Sequence, residues 1–363
     1  MINDWQWFEE YEQAALERGD HKRALLRQIH REAYNFHETD PDRTLVLLKE
    51  GRRRAAALRE PWWVLLFDHW QVHITLYEKC DYRNVLGPAV RNVLELRKPQ
   101  HKGFPQAGCI LGDLINIYVQ LDPLCYAKEI EQALAELEIQ LSPHETNSRY
   151  LFWFHQLDAA VTQDRSKDAV QIAIRIRDAA QADSDASTGN HYLVPCYRFF
   201  CCYYGNRKNW SKLAQWASAG EVLARQLGEK QSLAAFLMWQ AVLNQQRGEQ
   251  VMATHLYRSA TSHKRRLKTA HHSHYYDAMC AYHELRGDAK KSLQLHVQQI
   301  QDCIALGQNH GEWSSRIEHL RLLVKLGQPL EPHLSAARAM TRKFRQPDLY
   351  LPPIEEIARG ARL

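Results

Sequence analysis

Glycine and proline are scarce in this chain, at 16 and 13 of 363 residues. Both punctuate short strands and tight turns, so their scarcity argues against a sandwich or barrel of many hairpins. The residues that predominate instead, Ala, Leu, Gln, Glu, Lys and Arg, are those that helix interiors tolerate best, and the fold class predicted is all-α. Long apolar runs are missing too: no stretch approaches the roughly 18 uncharged residues of a membrane span. The opening MINDWQWFEEYEQ has acidic residues where a secretory leader needs a basic region before its apolar one. A cytoplasmic protein without a membrane partner is expected.

Neither sign of charge dominates. Lys and Arg number 47 against 42 Asp and Glu, a net charge of +5 that is spread along the whole chain. A dedicated nucleic-acid binder concentrates its basic residues and interleaves them with stacking aromatics, and that pattern is absent. Paired cysteine motifs are absent as well: Cys80, Cys109, Cys125, Cys196, Cys201, Cys202, Cys280 and Cys303 make no CxxC pair. Scattered through helical patterns, they read as reduced, small, apolar residues, and zinc-ribbon chemistry is not supported. GxGxxG, GxxxxGK[ST], GxSxG, DDxxD and HExxH are all missing, so no common catalytic motif marks the chain as an enzyme.

What is present is a period. Apolar helical segments end in short polar corners and restart at once, as in LYEKCDYRNVL, VTQDRSKDAV, QQRGEQVMATHL and ELRGDAKKSLQL. Taking the corner residues as Asp40, Asp81, Asp122, Asp164, Asn206, Glu249, Asp288 and Gln328, successive corners lie 39 to 43 residues apart. A repeat of that length marks a solenoid, in which each unit buries its apolar face only by stacking on its neighbours. The corner chemistry fits: Asp or Asn caps orphan N–H groups at a helix start, and Asp40-Pro41 places proline where a helix accepts it.

The phrase ELRGDAKKSLQLHVQQI resembles the tetratricopeptide repeat. Gly287 and Asp288 match that family's corner, Ser292 its small position, and Leu293 and Ile300 its packing stripe; YGNRKNWSKLAQWA and KCDYRNVLGPAV match more weakly. The resemblance covers residues 40 to 345. The period exceeds the family's usual 34, so each helix is expected to be about a turn longer. It implies an α-α superhelix of about eight helical hairpins that binds protein or peptide in a concave groove lined by the first helix of each hairpin, helix A. Units of this length look like those of bacterial regulators and peptide-responsive sensors, which implies a regulatory scaffold in a bacterial cytoplasm. A sensor that sequesters a signalling partner is the first alternative. An α/α-toroid enzyme, with carboxylates converging from several helix starts, is the second.

The organisation expected is a capping helix and first helix A over 1–37, repeats over 38–182 and 183–345, and a proline-containing tail over 346–363. The segments 97–108 and 182–191 read as flexible edges, the second as a bend between halves. The terminal units have no obvious polar cap, which leaves a homo-oligomer open beside a monomer.

The densest chemistry lies in HKRRLKTAHHSHYYDAMCAYHE, His263 to Glu284. In the tetratricopeptide frame Tyr276, Met279, Cys280 and His283 face the partner helix, while His274, Asp277 and Glu284 face the groove and are the partner-binding residues predicted. His271, His274 and Asp277 recur at helical spacing and present two imidazoles and a carboxylate, a donor set suited to a divalent ion. Groove-lining polar residues are the simpler reading, because metal sites ordinarily recruit a ligand from a second element. His69 and His73, in HWQVH, share a face at i and i+4; in the repeat frame both point toward helix B, the second helix of the hairpin, and read as packed core histidines. No metal and no cofactor are expected. The basic runs EGRRRAAALR and HKRRLK sit near helix C-termini, where cations complement the helix dipole. The aromatic clusters WQWF, PWWVLLFDHW, YLFWFH and CYRFFCCYYG read mainly as core between hairpins.

Overall fold

The computed structural model describes residues 4–140, 146–183, 186–264 and 276–361. Among these residues there are eighteen α-helices and no strand, and the all-α class stands. The chain forms two compact units, Met1–Gln163 and Asp164–Leu363. The division falls at the Asp164 corner, whereas composition alone suggests residues 182–191.

The first unit contains α1 (Asp4–Glu17), α2 (His21–Phe36), α3 (Pro41–Ala57), α4 (Pro61–His73), α5 (Tyr82–Leu96), α6 (Ala107–Leu121), α7 (Ala127–Gln140) and α8 (Thr146–Thr162). Local chemistry sets the starts. The Asp20 and Asp40 carboxylates accept hydrogen bonds from the backbone N–H groups of Arg23 and Arg43, at 3.1 and 3.0 Å, and Pro41 and Pro61 open helices where no N–H is needed. Each helix packs on its sequence neighbours, and alternate helices also meet, α4 with α6 and α6 with α8. That is the contact pattern of stacked hairpins.

The period is visible in the hydrogen bonds themselves. Trp62 donates to the Gln100 carbonyl, Trp70 to the Gln106 side chain, Asn116 to the Tyr77 hydroxyl, Arg97 to Glu136 and Gln163 to the Pro123 carbonyl, across 36 to 40 residues of sequence. Each bond joins a residue to one about a repeat away. The segment 97–108 is tied into this network rather than being a flexible edge. Phe104 and His101 are buried, and the His101 ring bridges the Glu95 and Pro61 carbonyls at 2.8 and 3.2 Å. At the N-terminus α1 lays Trp7 and Phe8 on Trp63, with ring centroids 5.2 and 5.8 Å apart, and so covers the apolar end of the stack.

The second unit contains α9 (Ser166–Ala182), α10 (Ala186–Asn206), α11 (Trp210–Gln226), α12 (Lys230–Gln246), α13 (Gln250–Lys264), α14 (Tyr276–Leu285), α15 (Ala289–Leu306), α16 (Asn309–Lys325), α17 (His333–Thr341) and α18 (Pro352–Gly360). Here α10 meets α12, and α12 meets α14. Hydrogen bonds again span about one repeat: Arg207 to Ser166 and Lys325 to Glu284 across 41 residues, and Trp313 to the Tyr350 carbonyl across 37. Most of the expected loop 182–191 belongs to α10, because Gly189 lets that helix start against α9. A Cβ there would stand 2.4 Å from the Ala180 carbonyl oxygen.

One corner shifts. Asn206 is the last residue of α10, and the cap is Asn209, whose side chain accepts from the Lys212 N–H at 3.2 Å. The corner at Gly287 and Asp288 is as expected: Gly287 has φ 75°, Asp288 accepts from the Lys291 N–H at 3.1 Å, and Ser292 and Ile300 are buried. In the tail, a 3-10 turn at Pro347–Leu349 leads into α18, whose Ile354 and Ala358 close the core cluster of Ile317, Leu320 and Leu323 on α16.

Candidate functional site

Of the expected groove residues, Asp277 and Glu284 fall among the described residues. Asp277 and Glu284 lie on α14, two turns apart, and each is engaged by a different helix. Asp277 accepts from the Asn206 side chain at 3.4 Å, and Glu284 makes an ion pair with Lys325 on α16. His271 and His274 lie outside the described residues. The core side of α14 is as predicted: Tyr276, Met279 and Cys280 are buried, and His283 meets the Tyr257 hydroxyl at 3.1 Å.

A cleft of about 1130 Å³ opens in the first unit between α3 and α5, with α4 as its floor. The α3 and α5 walls are second helices of successive hairpins, so this cleft is separate from the groove that helix A residues were expected to line. Leu45, Val64, Val72 and Val85 supply apolar lining, and Pro88 interrupts α5 beside them. The charges around it are unbalanced in their pairing. Its acids Glu60, Asp68 and Glu95 are held by Arg23, Arg52 and Lys98 at 2.5, 2.6 and 2.5 Å. Its cations Lys49, Arg59 and Arg91 line the same cleft, and none of the direct ion pairs among the described residues involves them; Arg91 acts on Asp68 only at longer range.

The opposite face of α4 carries His69 and His73, and here the structure corrects the sequence reading. The two imidazoles face the next helix A, α6, rather than helix B, because α4 and α6 pack directly together. His69 Nδ1 lies 3.3 Å from Asp113 Oδ2 and His73 Nδ1 lies 3.4 Å from Asp113 Oδ1. His69 and Asp113 are almost fully buried, at 3% and 4% exposed, while the His73 side chain keeps 36% exposure. Just past His73 the backbone widens into a π-helical turn, Ile74–Glu78, with Lys79 N–H donating to the Ile74 carbonyl five residues back. Such turns recur at functional sites. This one brings the Tyr77 ring to 4.6 Å from His73 and its hydroxyl to 3.3 Å from Asn116 Nδ2.

Burial and charge compete at this cluster. Burial alone would raise the Asp113 pKa, yet His73 and His69 hold it well below the ordinary carboxylate range. For His73 burial lowers the pKa and the Asp113 charge more than reverses that, leaving it raised. His155 on α8 is pushed down to about 4 by burial; it lies against Gly112, where a Cβ would stand 2.5 Å from its Nε2. Burial raises Tyr77 well above the ordinary phenol range, and the nearby Asp113 charge adds to it. Sequence reasoning found the two histidines and missed Asp113. The available signal was register: His73 and Asp113 are 40 residues apart, about one repeat.

A second histidine set lies in the other unit. The His319 ring on α16 sits 6.0 Å from His296 on α15 and 4.7 Å from His333 on α17, and neither of its ring nitrogens has a hydrogen-bond partner. Burial, then His333, His296 and Arg316, push its pKa from 6.5 down to about 4. Burial lowers His296 as well, against the pull of Asp277, Glu318 and Glu284. As pH falls below 6.5, the unfolded chain takes up a proton that folded His319 refuses until about pH 4. Stability is therefore lost with acidification across that window, by about 3 kcal/mol for this residue. The urea midpoint of His319→Leu should fall less steeply than that of the parent between those pH values; parallel slopes would remove the assignment.

No family model matches this chain and no curated protein matches it, so the reading of these sites rests on their residues and geometry.

Proposed function

We propose that this protein is a tetratricopeptide-like binding scaffold that holds an acidic segment of a partner protein in the cleft between α3 and α5. The chain works by binding rather than catalysis, in a cytoplasm, in keeping with eight cysteines none of which is in a disulfide among the described residues. Among the described residues, no helix is long and apolar enough to cross a membrane. The observation that carries the reading is the uneven pairing around the cleft: every lining acid is matched by a cation, while Lys49, Arg59 and Arg91 are left to meet charge from outside. An extended peptide with apolar side chains toward Val64 and Val85 and carboxylates toward these cations fits that distribution.

A random peptide library panned on the full chain tests this. Selected peptides should be enriched in Asp and Glu, and Arg59→Glu with Arg91→Glu should weaken them at least tenfold. Asp277→Ala with Glu284→Ala should leave their affinity unchanged. Peptides without an acidic bias would sink the cleft assignment; loss of binding in the α14 variant would move the binding work to the helix A groove.

A further inference from the structure

We propose that His69, His73 and Asp113 form a site for one divalent first-row transition ion, held by two imidazoles and a carboxylate between α4 and α6. The site is internal to the first unit and does not depend on the peptide-binding reading.

Two observations converge on it. The donors come from two helices, and one ligand atom from each residue lies within 4.8 Å of the other two. The His-to-Asp separations of 3.3 and 3.4 Å are long for charge-assisted hydrogen bonds, which run at about 2.7–2.9 Å. Each runs to a different carboxylate oxygen, and each is close to the roughly 3.3 Å that separates two ligand atoms bound at about 2.0–2.1 Å to one tetrahedral ion. The second observation is an orphan: Asp113 Oδ2 is buried and has no hydrogen-bond partner, although His69 Nδ1 is nearby. A buried carboxylate oxygen without a donor is costly, and a cation at that point satisfies it.

Two nitrogen donors and one oxygen donor suit ions of the zinc, cobalt or nickel class and not magnesium or calcium, which take oxygen ligands. His73, on the partly exposed side, gives the ion a route of entry. The rigid surroundings act as support: the π-helical turn carries Tyr77 onto the His73 ring, and His155 packs against Gly112 beside the ligand Asp113.

Titration of the chelator-treated full-length chain with Co²⁺ and with Zn²⁺ tests the proposal. The expected result is one ion per chain by native mass spectrometry, a visible Co²⁺ spectrum of tetrahedral N/O type, a higher thermal midpoint with metal, and no competition from Mg²⁺. His73→Gln alters the most exposed ligand and should weaken Co²⁺ at least tenfold with the far-ultraviolet circular dichroism intact. Asp113→Asn should do the same, and if that variant fails to fold, His73→Gln alone decides. His271→Ala with His274→Ala should keep full affinity, which separates this site from the other histidine-rich stretch. Equal Co²⁺ affinity in the parent and His73→Gln, loss of binding in the His271/His274 variant, or equal competition by Mg²⁺ would each overturn the proposal.

Discussion

Trp239→Ala is expected to remove about 3–5 kcal/mol of stability, the largest loss from any single truncation considered for this chain. Trp239 sits on α12 and is 1% exposed. Its ring lies directly on the backbone of α10: at Gly205 a Cβ would stand 2.4 Å from two of the indole carbons. The indole therefore fills the gap that glycine opens. The neighbours Phe236, Leu237 and Met238 are each buried, so α12 is enclosed on several sides and has little freedom to collapse into the void. Chemical denaturation followed by far-ultraviolet circular dichroism should show the transition that reports the second unit moving to lower urea. Gly205→Ala with Trp239→Leu, which trades ring for methyl, should recover part of the loss. A cost below about 1 kcal/mol for Trp239→Ala would mean that the ring is not packed as described.

Gly51→Val should cost about 3 kcal/mol by the opposite mechanism, overpacking. Gly51 lies within α3, where glycine is itself a poor helix residue, and simple propensity would favour valine by a few tenths of a kcal/mol. Sterics reverse the sign. A Cβ at this position would stand 2.4, 2.5 and 2.8 Å from three carbons of the Phe67 ring on α4, and Phe67 is fully buried, with no solvent side to swing into. The double variant Gly51→Val with Phe67→Leu should be more stable than the sum of the two single effects by more than about 1 kcal/mol, since the smaller side chain vacates the space the valine needs. Strict additivity would show that the contact between α3 and α4 is not limiting. Because α3 walls the cleft and α4 floors it, this pair also sets the width available to a bound segment.

Several features were legible in the residues before any coordinates. The spacing of the polar corners announced helical hairpins, and Asp40 and Asp288 cap helices where the corners put them. The aromatic runs were legible as core: Trp63, Phe67 and Phe200 are buried. So was the inward face of α14 at Tyr276, Met279 and Cys280. These are properties of a single helix or turn, governed by a period of 3.6 residues and by capping chemistry that acts over three or four positions. The shift of a cap from Asn206 to Asn209 is the kind of error that local rules leave, since both asparagines offer the same side-chain acceptor.

By itself, then, the sequence determined the class, the repeat and the side that α14 turns inward, because each of these depends on residues close together in the chain. Only the tertiary structure decided what stands opposite. Helical spacing shows that His69 and His73 share a face, but not whether that face meets helix B or the next helix A; the direct packing of α4 on α6 chose the second and delivered Asp113 from about a repeat away. The same holds for the cleft. Lys49, Arg59 and Arg91 are scattered in the chain, and they become one basic lining only because α3 and α5 stand on either side of α4. Contacts of that kind arise from how one hairpin settles on another, a matter of side-chain volume at places such as Gly51 and Gly112, and no rule that reads one helix at a time contains it.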